Sequence, residues 1–269
     1  MASPYLRLRQ ICLVAPELGP AEAALRNILG LDVCHRDPAV AAYGLENALF
    51  VCGQAFIEIV GPTRAGTAVG RFIERAGGVD AAGGYMAIFD CDDPQVRRAH
   101  ALGMNVRVAL DIQHDDYVGV QLHPRDGRAT MLSLDHSSGG DELGQHYAPA
   151  GPHWQAAQRL DRVGALPLIE LCSPDPQGLA PHWSALLQTP LSRDVSCQPM
   201  LRFGLGAARF VAAPAGLGGP TEQLSAVHLQ VPDPAATLAA AQRAGCALDG
   251  RGFRFGGVRI EPCSYSLAP

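Results

Sequence analysis

The chain has 269 residues, 48% hydrophobic and 17% charged, with a formal net charge of −5, a balance that excludes a disordered protein and allows one large domain or two modest ones. Scattered arginines and a negative balance leave no electrostatic basis for binding nucleic acid. No apolar run approaches the roughly 18 residues that span a bilayer, and the N-terminus lacks a basic-then-apolar signal, so a cytoplasmic protein with no membrane partner is expected.

Residues 7–14, R-L-R-Q-I-C-L-V, alternate like a half-buried strand. Over 21–31, Ala24, Leu25, Ile28, Leu29 and Leu31 fall at helical spacing, with Pro20 in the first turn and Gly30 at the stop. Residues 46–60 read as two strands about the turn Cys52-Gly53-Gln54. A short helix ending at Gly77-Gly78 and a Gly/Ala linker over 79–84 follow. The opening pattern then recurs: a strand over 85–91, a helix over 94–102 stopped by Gly103, a strand over 104–110, and a hairpin of 117–123 with 128–135 across P-R-D-G. Gln10 aligns with Met86 and Glu58 with Ser133 at nearly equal offsets, which indicates a duplication.

Residues 137–163 are polar, rich in Gly and Pro and poorly periodic, and read as a linker in which His146 and His153, with His136 beside it, face solvent. A third unit has its strand at 166–172, helix at 178–187 and a strand pair over 200–214. A compressed fourth has a strand in L-S-A-V-H-L-Q-V-P-D-P, a helix over 235–245 and a closing hairpin over 253–262. The fold class is therefore α+β, four β-α-β-β(-β) units with the last shortened.

All 21 basic residues are arginine. That removes a Schiff-base lysine, a pyridoxal-phosphate enzyme and a P-loop. No G-x-G-x-x-G opens a helix, so no nucleotide cofactor is expected, and G-L-G-G at 216–219 reads as a loop. The eight cysteines are scattered without a C-x-x-C, the pattern of buried free thiols.

The strand L-R-Q-I-C-L-V-A-P-E-L, the helix ending G-L and the closing F-I-E-I-V-G-P resemble the vicinal oxygen chelate superfamily, which includes glyoxalase I, methylmalonyl-CoA epimerase, extradiol dioxygenases and bleomycin-resistance proteins. V-H-L-Q-V-P-D-P and M-A-I-F-D-C-D-D-P look like the same strand in later copies. The resemblance implies paired units curved around a cavity: an N-terminal glyoxalase-like barrel over 1–136, a linker over 137–163 and a degenerate C-terminal barrel over 164–269. It implies a divalent metal (Mn, Fe, Ni or Zn) on first and last strands, with Gln10 and Glu58 at those positions. The second unit offers Met86 and Ser133, poor ligands for a hard ion. The later units offer Leu168, Ala226 and Phe210.

Strand parity groups Tyr117, Gln121 and His123 on one face, Gln10 with Cys12, Glu58 with Phe56, and Ser133 with Asp135. A cavity lined by those faces gives Glu58 and His123 as catalytic residues, Gln10, Glu58 and His123 as metal ligands, and Tyr117, Gln121, Ser133 and Cys12 as substrate contacts. Each has a plainer role open to it: a salt bridge for Glu58, a turn cap for His123, core packing for Cys12. Glu170 and His228 lie two residues beyond the ligand positions and are expected as a buried ion pair. The resemblance implies a glyoxalase-like lyase or isomerase acting on a small carbonyl compound, with Glu58 as general base. A metal-free protein that sequesters a small molecule is the alternative. A ring-cleaving dioxygenase comes third, because two histidines and a carboxylate are missing at the expected positions. Barrels of this kind often pair, so a homodimer is a further expectation.

Overall fold

A computed structural model describes residues 4–214 and 222–264; the G-L-G-G loop at 216–219 lies outside them. The first unit is β1 (Leu6–Val14), α1 (Leu18–Leu29), β2 (Val33–His35), β3 (Leu45–Cys52) and β4 (Ala55–Pro62), followed by α2 (Ala68–Ala76). The second is β5 (Met86–Cys91), α3 (Pro94–Gly103), β6 (Val108–Gln113), β7 (Tyr117–Leu122), the one-turn α4 (Pro124–Gly127) and β8 (Met131–Ser137). The third is β9 (Ala165–Ser173), α5 (Pro176–Leu187), β10 (Leu191–Arg193), β11 (Pro199–Arg202) and β12 (Ala207–Ala212). The fourth is β13 (Gln223–Gln230), α6 (Pro234–Arg243), β14 (Leu248–Asp249), β15 (Gly252–Phe255) and β16 (Val258–Cys263). The expected shortening falls on β14 and β15.

Three helices start in the same way. Asp93, Asp175 and Asp233 each accept from backbone N–H groups of the first turn, and a proline follows at the first helical position. Gly30 closes α1 in the left-handed region at φ 66°.

The strands form two eight-stranded sheets, β2-β3-β4-β1-β5-β8-β7-β6 and β10-β11-β12-β9-β13-β16-β15-β14. In each, the first strands of two units meet antiparallel at the centre, and each first strand runs parallel to the last strand of its own unit. The register repeats: Cys12 lies opposite Glu58, Ile88 opposite Ser133, Glu170 opposite Arg209 and His228 opposite Glu261. That register corrects one expectation. Arg209, not Phe210, occupies the last-strand position of the third unit; Phe210 turns to the other face and packs on Trp183.

Helix-bearing faces of both sheets share one apolar core, in which Phe89 of the first half and Phe210 of the second both pack on Trp183. The concave face of the first sheet is covered as well. At one end α2 contributes Val69 and Phe72 to a cluster with Cys12, Val14, Val60 and Met86. At the other, segment 137–163 folds back and buries Tyr147 and Trp154 against Leu49, Val51 and Phe56. This segment was expected only to join the halves. His153 is exposed as expected, but His146 pairs with Asp116 at 2.9 Å, and His136 is half-buried with its Nδ1 at 3.1 Å from the Cys91 carbonyl.

Candidate functional site

The concave face of the first sheet gathers the polar groups that its strands carry inward. Glu58 on β4 is 8% exposed and is held at both oxygens. Gln10 Nε2 donates to Oε2 at 2.9 Å, and Asn47 Nδ2, from neighbouring β3, donates to Oε1 at 2.7 Å. The Gln10 carbonyl in turn accepts the Tyr147 hydroxyl at 3.1 Å. Two amide donors satisfy both oxygens of a Glu inside an apolar strand without an arginine partner.

A second cluster stands across the face on β7 and β8. Tyr117 Oη donates to Asp135 Oδ2 and Ser133 Oγ to Asp135 Oδ1, both at 2.5 Å. Burial pushes the Asp135 carboxyl up to about 7, against the pull of the two hydroxyls. Burial and the Asp135 charge hold Tyr117 well above its ordinary range; the charge of Glu58 contributes too, so the two clusters sense one another. Near neutral pH, then, Asp135 exchanges a proton while Tyr117 keeps its own.

The sequence-derived set is thus largely brought together, with exceptions. Gln10, Glu58, Cys12, Tyr117 and Ser133 line one face, and Gln121 lies opposite Ser133 in the β7–β8 pairing. Cys12 is buried, its thiol raised by burial and the Glu58 charge, which suits packing rather than nucleophilic attack. His123 stands apart. It caps α4, its Nδ1 accepting from Arg125 N at 3.3 Å and lying 3.3 Å from Arg107 Nη2. That is the turn-capping role, not that of a ligand or base beside Glu58. Asn47, Asp135 and Tyr147 were missed as site residues: Asn47 follows Glu46 at the start of its strand, at neither a first- nor a last-strand position, and Tyr147 lies in an aperiodic stretch.

The metal that the resemblance implies can be tested on these donors. Both Glu58 oxygens and the Gln10 carbonyl are taken up by N–H and O–H donors, Met86 brings a thioether, and the Ser133 hydroxyl is spent on Asp135. A divalent cation needs acceptor oxygens turned toward one point. The donor set as arranged does not fit one, and among the described residues no group of three His, Cys, Asp or Glu side chains is suited to a metal.

The concave face of the second sheet carries an ion-pair network instead. Glu170 binds Arg209, Arg259 at 2.8 Å and His228 Nε2 at 3.2 Å, so the expected pair of Glu170 and His228 is present. Burial alone would raise Glu170; the hydrogen bonds from His228 and Arg209 bring it down to about 2. Arg209 also meets Asp194 at 3.2 Å, and Glu261 lies 4.0 Å from His228 Nδ1 and 3.5 Å from Arg259. The positive and negative groups offset one another.

Two solved structures align with almost the whole chain. A variant of 4-hydroxymandelate synthase from Streptomyces coelicolor aligns at a TM-score of 0.64 and 13% identity, over 97% of this chain and 93% of that one. A hypothetical protein from Staphylococcus aureus aligns at 0.61 and 12%, over 96% and 100%. Methylmalonyl-CoA epimerase from S. coelicolor aligns with half, at 0.43 and 20%, over 49% of this chain and 98% of that one. No family model matches the chain and no curated protein matches it. The paired β-α-β-β-β units define a class of protein built by duplication around concave sheets. The chain has the fold of the vicinal oxygen chelate superfamily.

Proposed function

We propose that the protein is a lyase or isomerase that moves a proton next to the carbonyl of a small organic molecule, without a metal, on the concave face of its first sheet. The observation that carries this reading is the pair of carboxyl groups held by different partners on one face, Glu58 by two amides and Asp135 by two hydroxyls. Glu58 is clamped by two amide donors, and Asp135, raised to about 7, stands behind the Tyr117 hydroxyl. Glu58 takes the proton from the carbon beside the carbonyl. As charge moves onto the carbonyl oxygen, Tyr117 donates a hydrogen bond to it; a protonated Asp135 supports Tyr117 by donating to the phenol oxygen. The intermediate collapses when Glu58 returns the proton to a carbon, giving an isomer, or when a leaving group departs, giving a lyase product. Glu58 is almost fully buried, so substrate reaches it only when segment 137–163 or α2 moves aside.

Proton exchange at the carbon beside the carbonyl, followed by NMR in deuterated water over a panel of 2-hydroxy and 2-oxo carbonyl compounds, tests the reading. Glu58→Gln is expected to lower exchange at least ~100-fold and Tyr117→Phe ~10- to 100-fold, the range of general acid–base and oxyanion contributions. Exchange unchanged in both variants contradicts it. A protein that only sequesters its ligand is the second reading, favoured by the stacked Phe56 and Tyr147 rings on this face; it would return the ligand unchanged. A dioxygenase of the two-histidine, one-carboxylate type finds no such donor set among the described residues.

A further inference from the structure

Arg9 takes no part in the chemistry above, yet it is the least satisfied charge on that face. The β1–β5 register slips by one residue between Leu8 and Gln10. A bulge of this kind re-aims side chains, and here Arg9 and Gln10 both reach the concave side, where each meets Tyr147. Arg9 is 2% exposed, and among the described residues neither its Nε nor its Nη1 finds an acceptor. Its guanidinium carbon instead lies 5.1 Å from the centre of the Tyr147 ring, 5.5 Å from Phe56 and 5.6 Å from Trp154. The carboxylate whose charge it senses, Asp90, is already bonded to Arg7 at 3.3 Å.

Stacking on rings offsets part of the cost of burying a cation but supplies no acceptor in the guanidinium plane. A buried guanidinium with in-plane N–H groups open is a fork for a carboxylate. We infer that Arg9 is the anion-binding residue of this site and that its ligand is a small carboxylate, seated on Arg9 in place of the Tyr147 and Trp154 rings. The inference deepens the proposed function by making the substrate a carbonyl compound that also bears a carboxylate. Arg9 is a binding residue; it holds the substrate while Glu58 and Tyr117 act on it.

The test reads binding alone, so it stands or falls separately from turnover. The full chain carrying Trp183→Phe, which leaves Trp154 as the fluorescent residue, is titrated with benzoate and pyruvate, and with benzamide and pyruvamide as neutral counterparts. The expected result is a saturable change in Trp154 emission with at least one carboxylate and with neither amide. That affinity should fall at least tenfold in Arg9→Gln and fall less in Arg9→Lys. Because Trp183 is itself a core residue, calorimetric titration of the unsubstituted chain repeats each measurement. No binding of either carboxylate, or equal binding by a folded Arg9→Gln protein, overturns the inference. Carboxylate binding without proton exchange on any substrate would uphold it and refute the enzymatic reading.

Discussion

Asp135 and Glu170 are buried carboxyls displaced in opposite directions, and each predicts its own pH dependence. Asp135 rises from 3.8 to about 7 on burial, so the folded state binds more protons than the unfolded between those values. Its favourable contribution is complete below about pH 4 and is lost as pH rises through about 7, a change on the order of 4 kcal/mol. Urea denaturation of Asp135→Asn is expected to lack that decline, leaving the variant less stable than the parent at pH 4 and as stable or more so at pH 8. Glu170 falls from 4.5 to about 2, so its contribution is present above about pH 4.5 and is lost as pH drops toward 2. Glu170→Gln leaves Arg209, Arg259 and His228 facing a neutral amide and is expected to cost about 3 kcal/mol at pH 7 by the same measurement. Equal slopes for Asp135→Asn and its parent, or a Glu170→Gln loss below about 1 kcal/mol, would contradict these assignments. At this scale Gln10 and Glu58 were legible because the family resemblance points to the first- and last-strand positions they occupy; Asn47, equally polar in an apolar strand, lies at neither. Arg9 was not legible: simple alternation sets it opposite Gln10, and only the register shift between Leu8 and Gln10 brings both to one side.

Among the elements, the strands and helices with clear periodicity were legible, while β2, β10 and β14, of two or three residues, were too short to show a period. P-R-D-G reads as a turn and folds as one helical turn capped by His123, which accounts for a histidine there without metal chemistry. Segment 137–163 was the largest omission. Its Gly, Pro and polar residues describe a linker, but its contribution to the fold rests on two aromatic side chains. Trp154 meets Phe56 edge-on at 5.2 Å and donates Nε1–H to the Gln145 carbonyl at 3.2 Å. Gln158 then ties the segment to the Gly53 carbonyl at 2.7 Å, in the β3–β4 turn. Gly53 sits at φ 68° with the Gly164 carbonyl oxygen 2.1 Å from where a Cβ would stand, so the turn admits no side chain where the chain passes over it. Trp154→Ala is expected to lower unfolding free energy by about 3 kcal/mol through the cavity it leaves. A loss under about 1 kcal/mol in denaturant titration would mean that the segment is only lightly seated.

Across the whole molecule, duplication sets where chemistry is placed. Four copies of one unit bring first and last strands into the same register each time, and the residues at those positions differ: Gln10 with Glu58, Met86 with Ser133, Leu168 with Arg209, Ala226 with Glu261. No pair of units repeats a ligand set. The second half fills its face with offsetting ion pairs; the first keeps the carboxyls of Glu58, Asp90 and Asp135 and the Arg9 guanidinium beneath segment 137–163 and α2. No helix among the described residues is long and apolar enough to cross a membrane.

The central claim is that the first face transfers protons without a metal. The measurement that tests it most directly is carbon-bound proton exchange by the full chain before and after exhaustive chelation, with metal content determined on the same samples by elemental mass spectrometry. The account predicts an exchange rate unchanged by chelation and metal well below one equivalent per chain. Near-stoichiometric metal, with exchange lost on its removal and restored by adding it back, would contradict the account and return Gln10 and Glu58 to the role of ligands.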